Sequence, residues 1–221
     1  KLEAVIDLIY NPLKTKLIID AEKLSIKTMS GLMMLVAQAF FACELFLEKK
    51  LDESIIIKIY KKLKFDMENI LLIGMPSCGK TSMGKMLAEK LKRDFYDTDD
   101  LIVKEEGKTI PEIFEEKGED YFRDLESKIL KDLSKRNGIV IASGGGTPLR
   151  EENRDYISQN SLVIYLNRDL ENLETSGRPL SKNLENLKKL YDERKKIYEG
   201  LANIEIDVIE DKIKNLDLIL K

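Results

Sequence analysis

The chain has no histidine. That excludes imidazole acid–base chemistry and His-ligated metal centres, so any proton transfer falls to Asp, Glu, Lys, Tyr, Cys or water. Cysteine is scarce: Cys43 and Cys78 are too few for a disulfide framework and suit a reducing, cytoplasmic setting. Neither sign of charge is in excess. The 37 Lys and Arg stand against 40 Asp and Glu, a net charge of -3, which offers no basic field for a nucleic-acid partner. Long hydrophobic runs are missing too. The most apolar stretch, residues 32–47, is short for a bilayer and carries Gln38 and Glu44, so it reads as a buried core helix and no membrane partner is expected. Residues 1–12 lack the three-part form of a signal peptide, and a start at Lys1 rather than Met suggests a chain cut from something longer.

What is present is ordinary for a globular protein, with 43% hydrophobic and 35% charged residues over 221 positions, enough for one large domain or a domain plus a fragment. Residues 4–9 read as a strand before the Asn11-Pro12 turn, 15–24 and 31–47 as helices, and 54–64 as a lysine-rich connecting helix. From residue 69 the pattern alternates. Strands are expected at 69–73, 94–97, 138–142, 162–166 and 204–208. Helices are expected at 80–92, 99–106, on both sides of Gly118 to 135, and at 151–159, 184–199 and 212–220. Such alternation predicts βαβ units and an α/β fold, with a parallel sheet covered on both faces.

Gly74-Met75-Pro76-Ser77-Cys78-Gly79-Lys80-Thr81 fits G-x-x-x-x-G-K-[ST] between a predicted strand and a predicted helix. Backbone N–H groups of such a turn, at a helix N-terminus, converge on an anion. Ser77, Cys78, Gly79, Lys80, Thr81 and Ser82 are therefore the expected ATP-binding residues, with Lys80 on the β- and γ-phosphates and Thr81 on Mg²⁺. Cys78 is either a small residue that fits or a thiol made reactive by the helix N-terminus; reactivity is expected. Asp97 and Asp99 fall at the end of the second strand, where ligands bind in open α/β sheets, and an extended segment would put both on one side. Taken alone, that pair could be a helix cap plus a solvated acid.

Further on, Arg123 stands one turn before Glu126, a glycine triplet spans 144–146, Arg178-Pro179-Leu180 lies in a polar stretch, and Arg194 precedes Ile197-Tyr198. Arg123 with Glu126 could be only a helix salt bridge worth ~0.2–0.5 kcal/mol. In this order, with Asp97-Thr98-Asp99 and Thr109-Ile110-Pro111-Glu112-Ile113-Phe114, the segment from about 67 to 221 resembles shikimate kinase. The resemblance implies a P-loop, nucleoside-monophosphate-kinase-like fold with a five-stranded parallel sheet ordered 2-3-1-4-5. It implies transfer of the ATP γ-phosphoryl group to the 3-hydroxyl of shikimate in chorismate and aromatic amino-acid biosynthesis. By the same resemblance Lys80, Asp99 and Arg178 are catalytic, Arg178 being a lid arginine on the ATP phosphates. Thr81 and, through water, Asp97 hold Mg²⁺. Asp99, Arg123, Gly145 and Arg194 bind shikimate, the two arginines taking its carboxylate. Ser77 replaces a usual glycine, the lid at 167–182 is short, and Glu174 stands where an arginine usually packs on adenine. A gluconate-like P-loop kinase and an inactive nucleotide-binding remnant are the alternatives.

Residues 7–15 (Asp7-Leu8-Ile9-Tyr10-Asn11-Pro12-Leu13-Lys14-Thr15) and 31–38 (Gly31-Leu32-Met33-Met34-Leu35-Val36-Ala37-Gln38) resemble the C-terminal end of shikimate dehydrogenase. Tyr10 and Gln38 match positions that face substrate there, and no G-x-G-x-x-G occurs in this chain, so no reduction is expected of it. The implied organisation is a dehydrogenase-like fragment at 1–50, a linker helix at 51–66 and a kinase domain at 67–221. The kinase domain is expected to be monomeric, while the apolar helix of the fragment, lacking a partner domain, is expected to drive self-association.

Overall fold

The computed structural model describes residues 2–169, 184–209 and 211–220; Arg178, Glu174 and most of the expected lid lie outside them. The N-terminal part is a small βαβ unit. Strand β1 (Ala4–Ile6) pairs in parallel with β2 (Lys27–Met29), with α1 (Lys16–Lys23) between them. Helix α2 (Gly31–Leu47) follows, and α3 (Ser54–Met67) leads into the larger sheet. The strand expected over 4–9 is only three residues long, and β2 was not foreseen, because neither segment is buried enough to impose a period on its sequence.

Five parallel strands form the second sheet. They are β3 (Asn69–Ile73), β4 (Phe95–Asp97), β5 (Val140–Ala142), β6 (Ser161–Asn167) and β7 (Ile204–Asp207), in the spatial order β4-β5-β3-β6-β7. This is the 2-3-1-4-5 order that was expected. The connecting helices are α4 (Lys80–Leu91), α5 (Thr98–Glu106), α6 (Ile110–Ser134), α7 (Glu151–Asn160) and α8 (Leu184–Leu201), and α9 (Lys212–Ile219) closes the chain. Central β3 is buried at every position, with Leu71, Leu72 and Ile73 at 0% exposure. That is why its sequence is a continuous apolar run rather than an alternation. Helix α6 starts at a capping box, Thr109 with Glu112, and kinks at Gly118. Its second half carries Arg123 and Glu126 to the site.

One expectation is corrected here. Helix α2 is not a buried core helix: Leu32, Val36 and Phe40 are buried, but Phe41, Leu45, Phe46 and Leu47 are exposed. Composition records that an apolar face needs cover, not that cover is present. Among the described residues no helix is long and apolar enough to cross a membrane.

The N-terminal unit docks on the kinase-like part through α1 and α7. Lys16 and Lys23 both donate to Asp155, at 2.6 and 2.9 Å, and the Lys14 N–H donates to the Gln159 carbonyl at 2.9 Å. Burial would raise the Asp155 pKa, but hydrogen bonds from the two lysines outweigh it and hold the carboxyl below its ordinary value of 3.8. A depressed carboxylate pKa stabilises docking fully above the ordinary value, and that contribution is lost as pH falls through the lower, folded value. Because both lysines are exposed, solvent screens these contacts and each contributes little. Asp155→Asn is predicted to speed amide exchange in α1 roughly fivefold at neutral pH, measured by mass spectrometry. Acidification below 3.8 should do the same to the unmutated chain after correction for intrinsic rates.

Candidate active site

The loop between β3 and α4 is the phosphate cradle. Gly79 caps α4 at φ 102°, and Ser77 also adopts a left-handed backbone, φ 63°. For a residue with a Cβ that conformation costs about 1–2 kcal/mol. Lys80, the first residue of α4, is 8% exposed, and its ammonium donates to the carbonyls of Gly74 and Met75 at 3.0 and 2.8 Å. Cys78 is wholly buried. That burial stands against the expected thiol reactivity, since attack needs an accessible thiolate.

Strand β4 ends at Asp97, and α5 begins at once. Asp97 is the N-cap of that helix, accepting from the Asp99 N–H at 3.0 Å. Asp97 and Asp99 are thus not two positions on one extended strand, as expected, but a cap and a first-turn residue. The turn still brings both carboxylates to the cradle, where Asp97 accepts a 2.6 Å hydrogen bond from the Thr81 hydroxyl. Thr98, between them, is fully buried and accepts from the Gly144 N–H at 2.8 Å. The acidic segment is in this way tied to the glycine triplet after β5.

A second group of residues converges behind that triplet. Glu126 is 1% exposed; one oxygen pairs with Arg123 and the other accepts from the Thr147 hydroxyl at 2.8 Å. Burial disfavours charge on Arg123, but Glu126 and then Glu119 more than offset it and hold its pKa above the usual arginine value. Gly146 is glycine because a Cβ there would stand 2.3 Å from the Arg123 guanidinium. At Gly144 a Cβ would stand 2.3 Å from Glu126 and 2.9 Å from Asp99. Arg194 comes in from α8, buried, and its Nε meets no acceptor among the described residues. One turn later Tyr198, at 0% exposure, donates to the Gly145 carbonyl at 2.5 Å. Burial pushes the Tyr198 pKa up to about 12, moderated by the neighbouring Arg194 and then Arg123.

A cavity of about 410 Å³ opens over the cradle. Ser77, Cys78, Gly79, Lys80, Thr81, Ser82, Asp97, Asp99 and Gly145 line it, whereas Arg123 and Arg194 sit behind the triplet rather than on the lining. Arg168, Val208, Ile209 and Asn215 close its other side and were not foreseen. Thr98, Thr147 and the hydroxyl of Tyr198 were also missed as structural ties. Only Tyr198 carried a readable signal, being four residues from Arg194 on one helix face.

A phosphate loop on the central strand, acids at the end of the strand two places away and two arginines, Arg194 buried and Arg123 partly so, define a P-loop phosphotransferase acting on a small anionic molecule. Comparison with known proteins agrees. The family model for shikimate kinase matches residues 76–219. The shikimate kinase of Clostridium beijerinckii is 44% identical over 139 residues, covering 61% of this chain and 82% of the relative. That of Dehalococcoides mccartyi is 39% identical over 167 residues, 67% of this chain and 95% of the relative. Among solved structures, shikimate kinase from Acinetobacter baumannii in complex with shikimate superposes with a TM-score of 0.67 at 35% identity. It covers 72% of this chain and 96% of its own. The chain belongs to the shikimate kinase family.

The pairing of Glu126 makes a direct prediction. Glu126→Gln removes the buried one of the two carboxylates that compensate Arg123 among the described residues, so it is expected to destabilise the chain by about 3 kcal/mol. Thermal melting checks this. An unchanged midpoint would mean that Glu119 alone suffices for Arg123.

Proposed function

We propose that this chain transfers the γ-phosphoryl group of ATP to the 3-hydroxyl of shikimate, giving shikimate 3-phosphate. The observation that supports it best is the pair Arg123 and Arg194, tied to the acidic strand end through Gly144–Gly146. A planar carboxylate suits guanidinium groups, and Arg194 keeps an N–H without an acceptor among the described residues. Shikimate would lie with its carboxylate toward Arg123 and Arg194, its ring beside Gly145, and its hydroxyls on Asp99. Asp99 then orients the attacking oxygen toward the cradle, where the phosphate loop fixes the γ-phosphoryl group in line. Lys80 takes up charge on the β- and γ-phosphates. Arg178, proposed from its motif alone, supplies a further cation.

The residues present fit Mg²⁺. A hydroxyl and a carboxylate 2.6 Å apart, Thr81 and Asp97, offer hard oxygen donors at the mouth of the loop, and Mg²⁺ is commonly held by one or two such groups plus phosphates and water. Thr81 would hold it directly and Asp97 through water. Bound there, the ion would neutralise charge that develops on the phosphoryl oxygens.

For the rest of the chain we propose a kinase domain at 67–221, a linker helix at 51–66 and a dehydrogenase-like segment at 1–50. The kinase domain is monomeric and works in the cytoplasm, and self-association of the full chain comes from the exposed face of α2 in the N-terminal segment. Sedimentation of the chain lacking residues 1–64 should show a monodisperse species where the full chain associates. Equal behaviour of the two would count against this role.

The reaction is tested by coupled ADP release with Mg²⁺-ATP and shikimate, gluconate or no acceptor. Release is expected with shikimate alone, and Lys80→Ala should lower it about 10²–10³-fold. Arg123→Lys keeps a charge beside Glu126 but loses the planar fork, so KM for shikimate should rise tenfold or more while KM for ATP holds. A shared rise in both constants would remove Arg123 from the acceptor side.

A further inference from the structure

Tyr198 carries a hydroxyl that packing does not require. Its ring lies against that of Tyr165 from β6, with centroids 5.3 Å apart at 39°, and phenylalanine would fill the same space. The hydroxyl adds one hydrogen bond, donated to the Gly145 carbonyl at 2.5 Å. Burial pushes its pKa up to about 12, against the pull of Arg194 and then Arg123, so it remains a donor throughout the neutral range.

That bond falls where the backbone has most freedom. The Thr147 N–H donates to the Gly144 carbonyl at 3.2 Å and closes a four-residue turn whose two central residues are Gly145 and Gly146. Gly146, at φ −92° and ψ −13°, has the geometry of a type I turn. Types I and II differ by a flip of the central peptide, and glycine at both central positions permits either. The closing bond does not choose between them. The Tyr198 hydroxyl does, because it holds the carbonyl of that peptide. A flip would exchange the Gly145 carbonyl and the Gly146 N–H, and so reverse a peptide dipole beside the Arg123 guanidinium, which a Cβ on Gly146 would meet at 2.3 Å. An anion held by Arg123 would then face a carbonyl oxygen in place of a donor. Arg194 stands one turn before Tyr198 on the same face of α8, so one helix turn brings in both the guanidinium and the latch.

We propose that Tyr198 is a positioning residue for the acceptor: its hydroxyl locks the Gly145–Gly146 peptide in one of two orientations and joins that turn to the part of α8 that carries Arg194. The inference rests on the kinase reading for the identity of the acceptor. The phosphate loop is braced separately, through Lys80 on the Gly74 and Met75 carbonyls, so the nucleotide side does not depend on this latch.

The test is Tyr198→Phe in the full chain, with Tyr165→Phe beside it. The second variant removes a hydroxyl from the same ring pair, one that donates to the Asn167 side chain at 3.2 Å and not to the turn. A cooperative melt verifies that each variant folds. Tyr198→Phe is expected to raise KM for shikimate about fivefold, the effect of one buried hydrogen bond, with KM for ATP unaltered. Tyr165→Phe should leave KM for shikimate where it was. By NMR of the chain without substrates, the Gly146 amide should give a single sharp signal in the unmutated chain and a broadened or doubled one in Tyr198→Phe alone. Unchanged KM for shikimate in Tyr198→Phe would overturn the proposal, as would equal effects of the two variants or a Gly146 signal that stays single and sharp. Shikimate-dependent ADP release by the unmutated chain separates the two readings. Its absence would refute the acceptor, while the Gly146 signal would still decide whether Tyr198 locks the turn.

Discussion

A carboxylate kept from water must be paired, and Glu126 is the carboxylate about which the acceptor side is built. Its two oxygens are shared between a guanidinium on its own helix and a hydroxyl just past the glycine triplet. Removing either partner would leave a buried charge, which costs far more than the pair itself contributes. The arrangement therefore fixes Arg123, the triplet and the short turn after it relative to one another. Thr98 extends the same logic to the acidic strand end, and Tyr198 to the last long helix. Each tie is a single hydrogen bond from a fully buried group, so none is easily exchanged for water.

The sheet supplies what these ties act upon. Order β4-β5-β3-β6-β7 places the phosphate loop at the centre, carboxylates on one flank and an apolar shelf with Arg168 on the other. Parallel strands bring all their C-terminal ends to the same edge, which is why residues as distant in sequence as Thr81, Asp99, Gly145 and Val208 line one cavity. The N-terminal unit reaches the kinase-like part at α7, whose first turn adjoins the Thr147–Leu149 turn of the site.

How much of this was readable in advance differs from residue to residue. The phosphate loop was legible because it is local: glycine, lysine and threonine act within one turn, and their spacing is their geometry. The five-strand order followed from the resemblance, not from any count of residues. Asp97 and Asp99 were legible as chemistry but not as geometry, since an aspartate that ends a strand can also cap the helix that follows. Helix α2 was misread because its apolar residues state a need for cover that the described residues do not meet. Thr98 and Arg168 were illegible for the opposite reason. What sets their place lies across the sheet, far along the chain, and no sequence period encodes a relation of that range.

The claim on which the rest depends is that Arg123, Arg194, Asp99 and the phosphate loop serve one reaction on one acceptor. Phosphorus NMR of the full chain with Mg²⁺-ATP and shikimate tests it most directly, because the spectrum identifies the product. The account predicts a new phosphomonoester signal, coupled to a single ring proton, growing in step with ADP. Inorganic phosphate growing in step with ADP, with no such ester, would contradict it and reduce the site to one that binds ATP and delivers its phosphoryl group to water.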